Sequence, residues 1–305
     1  MLKFGFYTSV LGDVPLTDVA TFAKSAGFET LEIDIRNHLG DLGDAESAVD
    51  TVRGAGLEVC ALTSWGPILD ADRDAATAAR ERLADAVRAA GRCGVDIVAG
   101  FAGRDSSIDE DSNYAALAEC LRSIAAEAAE VGVRLVLENW PGLPAGWCAT
   151  TPAGWRRLFA SVPASNLGLN LDPSHLVWQG IDHVVALKEF CDRVFLTHAK
   201  DTEIYPDRLQ STGYFNPAPD YGSNYWMYRL PGHGVVDWTL WLQALLDCGY
   251  DGVVSIEHED TNWGAFGGPV DRRQAGLVEG LSVLRRAAAR RDGGSRPTTS
   301  GVAAR

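Results

Sequence analysis

Eight short apolar runs alternate with longer amphipathic segments along most of the chain. Each run is nearly continuous in aliphatic and aromatic residues, which is typical of strands buried on both faces of a parallel sheet. The segments between them carry apolar residues at a spacing near 3.6, as on one face of a helix. Several end in a glycine such as Gly27 or Gly94, the residue type that most often ends a helix. The apolar runs lie at residues 2–9, 29–35, 58–65, 96–103, 133–140, 167–175, 194–201 and 252–260.

Eight strand–helix units in a chain of 305 residues predict an α/β fold, the (β/α)8 or TIM barrel. The rival is an open, doubly wound sheet, which usually carries a glycine-rich phosphate loop after its first strand. The corresponding segment here, YTSVLGDVP, lacks that loop. Since no linker interrupts the alternation, we predict one barrel domain over residues 1–290. Residues 291–305 are polar and without period, and we predict a disordered tail there.

Ionisable residues are concentrated at the predicted C-terminal ends of the last four strands. In a barrel of this kind these ends meet at one mouth, where catalytic residues lie. Three carboxylates and one imidazole suit a divalent cation such as Mn²⁺, Mg²⁺ or Co²⁺, and without it the carboxylates would repel each other. The alternative for each acid taken singly, including Asp172 before Pro173, is a helix N-cap or a surface charge. The predicted metal ligands are Glu138, Asp172, His198 and Glu257.

Four more residues are candidates for contact with a substrate. His175 follows Asp172 by three positions, so it either contacts a substrate beside the metal or is a turn residue with a satisfied hydrogen bond. Strand alternation points His258 away from the barrel interior, and we leave it out of the site. The candidate substrate contacts are Trp65, His175, Lys200 and Arg229.

The segment over residues 201–236 is the longest irregular stretch in the sequence, and it is rich in aromatic residues. Long loops in compact domains are uncommon and often serve as lids or binding surfaces. Aromatic side chains also serve oligomer contacts, which is the alternative reading. We predict a lid over the charged half of the mouth, with Arg229 as its best-placed cation for a substrate oxygen.

Charge and cysteine usage narrow the class of partner. A net charge of −14 disfavours a nucleic-acid partner. No apolar run approaches the roughly 18 residues of a membrane span, and the N-terminus is unlike a signal peptide, so we predict a cytoplasmic protein without membrane contact. The six cysteines are scattered without a CxxC pair, and we predict reduced thiols rather than disulfides.

Several motifs together resemble the xylose isomerase-like TIM barrel superfamily, in its sugar phosphate isomerase/epimerase branch. They are LENW, LDPSHLVWQGID, HAKD, YRLPGHGVVDW and GYDGVVSIEHED. The resemblance implies a divalent-metal site, commonly Mn²⁺ with Zn²⁺ also possible, held by Glu138, Asp172, His198 and Glu257. It also implies that Glu138 and Glu257 are the acid–base pair, and that His175 and Arg229 contact substrate. Related DNA-repair nucleases need further histidines at earlier strand ends, which here read TSW and GFAG.

We therefore expect a metal-dependent isomerase or epimerase that acts on a keto-sugar through a metal-stabilised enediolate. A lyase that eliminates a group from a 3-keto-sugar or its glycoside shares the same first step and is the alternative. A non-catalytic sugar-binding barrel is the third hypothesis. The expected partners are a small, non-phosphorylated sugar and further copies of the chain, with a small partner subunit if the protein cleaves glycosides.

Overall fold

The computed structural model describes residues 2–40, 42–142, 146–215 and 220–292. Its central element is a closed barrel of eight parallel strands, so the predicted fold class is confirmed. The barrel strands are β1 (Lys3–Tyr7), β2 (Thr30–Asp34), β3 (Glu58–Asp70), β4 (Ile97–Arg104), β5 (Arg134–Glu138), β6 (Leu167–Leu171), β7 (Val194–Ala199) and β10 (Val253–Ile256). Neighbouring strands follow the order β1-β10-β7-β6-β5-β4-β3-β2 around the barrel.

Helices surround the barrel and connect its strands. Gly27 and Gly94, which the sequence predicts as helix ends, follow two of these helices with φ of 88° and 61°, the left-handed region that suits glycine. The helices are α1 (Leu16–Ala26), α2 (Ile35–His38), α3 (Ala45–Gly54), α4 (Arg73–Cys93), α5 (Glu110–Glu130), α6 (Pro152–Ser161), α7 (Pro173–Val177), α8 (His183–Glu189), α9 (Pro206–Thr212), α10 (Trp238–Asp247) and α11 (Val270–Asp292). Because α11 continues to residue 292, it includes the first two residues of the predicted tail, and the rest of that tail lies outside the described residues.

Strand alternation divides the apolar residues into two layers. Val136 and Leu196 belong to a small buried cluster, separate from the large cluster that contains Leu135 and Leu137. Successive side chains of a strand point to opposite faces, so residues two apart share a face. Glu138 and His198 each lie two residues beyond a member of the small cluster, on the same face, at the C-terminal end of the barrel.

The segment over residues 201–236 is more regular than the sequence predicts. It contains a two-stranded antiparallel sheet of β8 (Asp201–Ile204) and β9 (Trp226–Arg229), with α9 between the strands. The prediction of an irregular loop was wrong because the strands are only four residues long and their pairing partners lie more than twenty positions apart. We call β8, β9 and the chain between them the hairpin.

The prediction that all six cysteines are reduced was also wrong. Cys191 and Cys248 form a disulfide with a Cα–Cα distance of 5.2 Å. Cys191 lies just before β7 and Cys248 lies between α10 and β10, and these two strands are neighbours in the barrel. The pairing depends on the order of strands in space, which a separation of 57 residues does not reveal.

In the part of the chain that the structure describes, no helix combines the length and the apolar character needed to cross a bilayer.

Candidate metal centre and active site

Three carboxylates converge at the C-terminal end of the barrel. They belong to Glu138 on β5, to Asp172 directly after β6, and to Glu257 directly after β10. Together with His175, each offers one atom to a group whose members all lie within 4.8 Å of one another. All four side chains are buried, so little water separates the three carboxylates. Three of the four ligands predicted from the sequence are thus in one place.

Asp172 has two roles, because it caps a helix with one carboxylate oxygen and faces the carboxylate cluster with the other. Its Oδ1 accepts a hydrogen bond of 2.8 Å from the Ser174 backbone N–H, as the N-cap of α7. Its Oδ2 is buried and accepts no hydrogen bond from any described residue, although Lys200 Nζ lies 3.3 Å away. One oxygen therefore caps the helix, and the other faces the carboxylate cluster.

Asn139 fixes the strand ends that carry two of the carboxylates. Its Nδ2 donates to the backbone oxygen of Asp172 at 3.0 Å, and its Oδ1 accepts from the backbone N–H of Asp172 at 2.8 Å. This pair of hydrogen bonds joins the end of β5 to the end of β6. The bonds between the Asn139 side chain and the backbone of Asp172 therefore help to set the position of Glu138 relative to Asp172.

His198, the fourth predicted ligand, faces two of the three carboxylates. Its Nδ1 lies 3.0 Å from Glu257 Oε2 and 3.7 Å from Glu138 Oε1. On the other side of the ring, Nε2 lies 3.0 Å from Glu32 Oε2. Glu32 is itself held by Thr63 at 2.5 Å and by Ser255 at 2.7 Å. A carboxylate on the outer nitrogen is the usual way in which a protein orients a metal-binding histidine.

His175 is held differently. Its Nε2 lies 3.0 Å from Glu138 Oε1 and 3.4 Å from Asp172 Oδ2, and its Nδ1 lies 2.8 Å from Tyr228 Oη. Burial, and next the charge of Lys200, hold the pKa of His175 well below its ordinary value. The ring is therefore neutral and carries a single N–H at neutral pH.

Lys200 places an ammonium group inside the cluster. Its Nζ lies 2.5 Å from Glu257, 3.2 Å from Glu259 and 3.3 Å from Asp172. Burial disfavours the charge, but the surrounding carboxylates, Glu257 first, raise the pKa of Lys200 well above its ordinary value. Lys200 thus offsets part of the negative charge at the mouth and remains protonated.

The two glutamates predicted as the acid–base pair have pKa values that move in opposite directions. Burial, and next the charge of Glu257, raise the pKa of Glu138 to about 7. Burial would also raise the pKa of Glu257, but Lys200 and His198 outweigh it and lower that pKa. Two carboxylates whose environments separate their pKa values are suited to opposite roles as acid and base.

A chamber of about 170 Å³ lies above the carboxylates and is lined by aromatic rings on both sides. Trp65, one of the candidate substrate contacts, lines this chamber, and its ring packs edge-on to Phe101 with centroids 4.8 Å apart. The remaining rings of the chamber are those of Trp140, Tyr221, Tyr228 and Phe266. Ligand pockets commonly measure about 300 Å³ or more, so this chamber suits a ligand no larger than one sugar ring.

Arg229 lies outside this chamber, in contrast to its predicted contact with a substrate. Its guanidinium donates to Glu203 at 2.8 Å, to Tyr205 at 2.8 Å and to Asp260 at 3.2 Å. Arg229 and Tyr228 are adjacent on β9 and point to opposite faces. Arg229 therefore fastens the hairpin to the segment after β10, while its neighbour reaches the site. His258 likewise lies outside the chamber, where its Nδ1 accepts a hydrogen bond of 3.2 Å from the backbone N–H of Asp260.

The sequence analysis missed several residues of the site, among them Glu32, Glu259 and Tyr228. Glu32 left a signal, because it is an acid within the apolar run TLEIDI and alternates with Asp34. Glu259, two residues after Glu257, left a similar one. Tyr228 left none that separates it from the other aromatic residues of the hairpin, since only the pairing of β8 with β9 turns its ring toward His175.

The residues at this mouth fit a divalent cation. The donor set consists of three carboxylates and imidazole nitrogen, all buried, which is the chemistry that Mn²⁺ and similar ions use in proteins. The Oδ2 of Asp172 is a second sign, because it is buried and accepts no hydrogen bond from the described residues, and only the longer contacts to Lys200 at 3.3 Å and His175 at 3.4 Å offset its charge. Both observations concern groups that an ion would satisfy.

Comparison with known proteins identifies the family. Residues 20–287 match the model of the xylose isomerase-like TIM barrel family, and the chain belongs to that family. YfiH, an uncharacterised protein of Bacillus subtilis, is 25% identical over 298 residues, which cover 85% of this chain and 93% of YfiH. Inosose dehydratase of Lacticaseibacillus casei is 27% identical over 155 residues, which cover 49% of this chain and 48% of that enzyme.

Solved structures share the fold at low sequence identity. The 3-keto-D-glucoside 4-epimerase YcjR of E. coli has a TM-score of 0.71 at 18% identity, over 94% of this chain and 100% of YcjR. The IOLI protein with a bound zinc atom also has a TM-score of 0.71 at 18% identity, over 95% of this chain and 97% of IOLI. The relatives and structural neighbours with named activities include epimerases and dehydratases.

Proposed function

We propose that this protein is a divalent-metal-dependent isomerase or epimerase of a small keto-sugar. The observation that carries the proposal is the pair of buried glutamates, Glu138 and Glu257, which share one small aromatic chamber with Asp172 close by. Removal and return of a proton next to a carbonyl require an acid and a base on the same substrate. Sugar epimerases of the same fold, and a zinc-bearing relative in fold, support this assignment.

The proposed ligands are Glu138, Asp172, His198 and Glu257, with Mn²⁺ as the preferred ion. Each of the two rings directs one nitrogen at the carboxylate cluster. We choose His198 over His175 because a carboxylate, that of Glu32, holds the outer nitrogen of His198, whereas the outer nitrogen of His175 faces the Tyr228 hydroxyl. When bound, the ion supplies a Lewis acid that polarises a carbonyl of the sugar.

The residues of the chain carry the proton. Glu257, held as a carboxylate beside Lys200, removes the proton from the carbon next to the carbonyl, and the electron pair of that C–H bond passes to the carbonyl oxygen to give an enediolate. Glu138, ionised when it holds the ion, takes up a proton from solvent and returns it to the carbon, which gives the epimer when the proton arrives on the opposite face. Glu257 then releases the proton it removed to solvent, so both carboxylates are restored. The aromatic walls hold the ring and keep water away from the reacting carbon.

A lyase is the second candidate, and inosose dehydratases among the relatives favour it. From the same enediolate, the electron pair on oxygen reforms the carbonyl, the carbon–carbon double bond shifts by one carbon, and the neighbouring hydroxyl leaves as water with a proton from Glu138. Mass spectrometry of the product separates the two, because isomerisation leaves the mass of the sugar unchanged and dehydration lowers it by one water.

Replacement of Glu257 by glutamine tests the proposal. We expect Glu257→Gln to abolish turnover of keto-sugars and to abolish exchange of the substrate C–H with deuterated solvent, because an amide cannot accept the proton. Glu189→Gln, at an exposed ion pair with Arg156, is the matched control and should retain full activity. Turnover and exchange in Glu257→Gln at the wild-type rate would refute the role of this residue. A protein that binds the ion and sugars without any exchange would instead be a sugar-binding barrel.

A further inference from the structure

Two aromatic rings that line the chamber are exposed to solvent. Trp65 is 36% exposed and Phe266 is 69% exposed. Phe101 and Tyr228, which also line the chamber, are buried. The two exposed residues therefore lie where the chamber opens, and both keep apolar ring surface that the fold leaves uncovered.

The two exposed rings belong to different groups of aromatic residues. The centroids of Phe101 and Trp140 lie 4.8 and 5.5 Å from that of Trp65. Phe266 instead contacts Tyr221 of the hairpin, with centroids 6.5 Å apart. Since no ring contact joins the two groups within the described residues, Trp65 and Phe266 belong to separate sides of the opening. A group that projects from the chamber passes these two rings.

An irregular stretch of β3 presents Trp65. Between Thr63 and Pro67, four steps along β3 pair with only two steps along β4. Gly66, inside this stretch, has a φ of 120°, which glycine adopts without strain. Bulges of this kind often lie next to active sites, where they redirect a side chain. The bulge gives Trp65 its place at the opening.

The backbone of Phe266 is strained. Its φ of 62° lies in the left-handed region, which is unfavourable for a bulky residue. A hydrogen bond of 2.9 Å from the Gly268 N–H to the Gly264 oxygen closes the turn that carries it. Strain of this kind persists only where the surrounding structure imposes it, and it is concentrated at ligand-binding sites. The fold therefore bears a cost to hold this ring at the opening, although the ring is mostly exposed.

There is room for a ligand beyond Trp65. This residue also lines a groove of about 610 Å³ outside the chamber. In that groove the Arg36 guanidinium lies 5.3 Å from the Trp65 centroid, and Arg82 donates to the Trp65 backbone oxygen at 3.3 Å. The chamber itself, of about 170 Å³, holds one sugar ring only. A larger ligand would therefore continue past Trp65 into the groove.

We infer that Trp65 and Phe266 form an outer subsite, which binds a ring attached to the sugar in the chamber, so that the substrate is a glycoside. The ring is an aryl group or a second sugar, because both have an apolar face that packs against aromatic side chains. The fate of the sugar in the chamber rests on the proposed function, whereas binding at the outer subsite is measured without turnover.

Matched glycosides test the inference. Protein loaded with Mg²⁺, a diamagnetic ion, is titrated with methyl glycosides, phenyl glycosides and disaccharides of D-glucose and D-galactose, in both anomeric forms. We expect a phenyl glycoside or a disaccharide to bind roughly tenfold more tightly than the methyl glycoside of the same sugar, as two aromatic contacts allow. Saturation-transfer difference NMR should show the attached ring in contact with the protein. The phenyl and disaccharide arms decide whether this ring is an aryl group or a sugar.

Phe266→Ala should lower this preference about 2- to 10-fold, the range of one aromatic contact, and leave the Kd of the methyl glycoside unchanged. Its Tm should stay within about 2 °C of the wild type, because the lost ring is mostly exposed and the backbone strain remains. Phe266→Gly, which also relieves the strain, should have a higher Tm than Phe266→Ala. Phe215→Ala is the matched control and should keep the full preference, since Phe215 is 98% exposed and does not line the chamber as the structure describes it.

Four results would overturn the inference. They are equal affinity for methyl glycosides and their larger counterparts, binding of none of these glycosides, the full preference in Phe266→Ala, and a larger fall of Tm in Phe266→Ala, which would show that the ring serves the fold. Failure of the proposed function gives a different result. Glycosides would then bind with a preference that depends on Phe266, while no keto-sugar exchanges a proton with solvent, and the outer subsite would stand.

Discussion

At the scale of single residues, two buried cations offset the negative charge of the carboxylates in the candidate centre. Lys200 and His198 are both cations held among carboxylates, and the pKa of each is raised well above its ordinary value. For His198, burial opposes the charge, and Glu32 and Glu257 outweigh that effect. Nδ1 of His198 therefore carries a proton in the metal-free protein, and a metal ion must displace it.

The proton count of metal binding follows from these shifts. Glu138, with a pKa raised to about 7, is protonated below that pH and must also release its proton to ligate an ion. We expect Mn²⁺ binding to release about two protons below pH 7, from Glu138 and His198, and about one above it. The affinity should then rise roughly 100-fold per pH unit below pH 7 and roughly tenfold per unit above it.

Isothermal titration calorimetry at several pH values, in buffers of different ionisation enthalpy, measures the number of protons released. The wild type should pass from two protons to one near pH 7. A count that does not change across this range would show that Glu138 is not a ligand, or that its pKa is not raised.

At the scale of the elements, the barrel follows from the sequence, and the additions to it do not. Apolar runs such as LVL (135–137) are typical of strands buried on both faces, so the identity of the strand and the position of Glu138 at its end follow from the sequence. The hairpin depends on pairing between β8 and β9, whose four-residue strands carry little signal of their own. Arg229 was predicted to contact a substrate because the sequence does not reveal its ion pair with Asp260, which lies after β10 and not in the hairpin.

The disulfide is a second long-range feature that the sequence did not reveal. It joins the N-terminal ends of β7 and β10, whose opposite ends lead to His198 and Glu257. We expect Cys191→Ser to lower the free energy of unfolding by about 3 to 4.7 kcal/mol, the range for closed loops of about 15 to 100 residues.

Denaturant unfolding with and without a reductant measures this loss. Both cysteines line a cavity of about 430 Å³ at the foot of the barrel, so a reductant has access to the bond. Cys120→Ser, at a free, half-buried thiol, is the control and should respond to the reductant as the wild type does. Equal stability of Cys191→Ser and of oxidised wild type would contradict the expectation.

At the scale of the whole molecule, an ion at the mouth should stabilise the entire fold, because its ligands come from strands that are far apart in the chain. A ligand at 100 times its Kd adds about 2.7 kcal/mol to the native state. We expect Mn²⁺ at that excess to raise Tm by roughly 5 °C, and a chelator to reverse the change.

Thermal unfolding of two histidine variants checks which ring binds the ion. His198→Ala should lose the Mn²⁺-dependent rise in Tm, and His175→Ala should retain it. The opposite result would assign the ligand to His175, which also lies within 4.8 Å of the carboxylates. A rise retained by both variants would place the ion elsewhere. The predicted self-association of the chain is a separate property, which light scattering of the native protein measures.

The hairpin has a consequence for how this barrel can diversify. It contributes Tyr221 and Tyr228 to the walls of the chamber, yet none of the proposed ligands lies on it. Exchange of this one inserted piece with that of another family member would therefore reshape the entrance while the chemistry beneath stayed in place. Under the proposed function, a new sugar preference can arise in this way without a change of the proposed ligands.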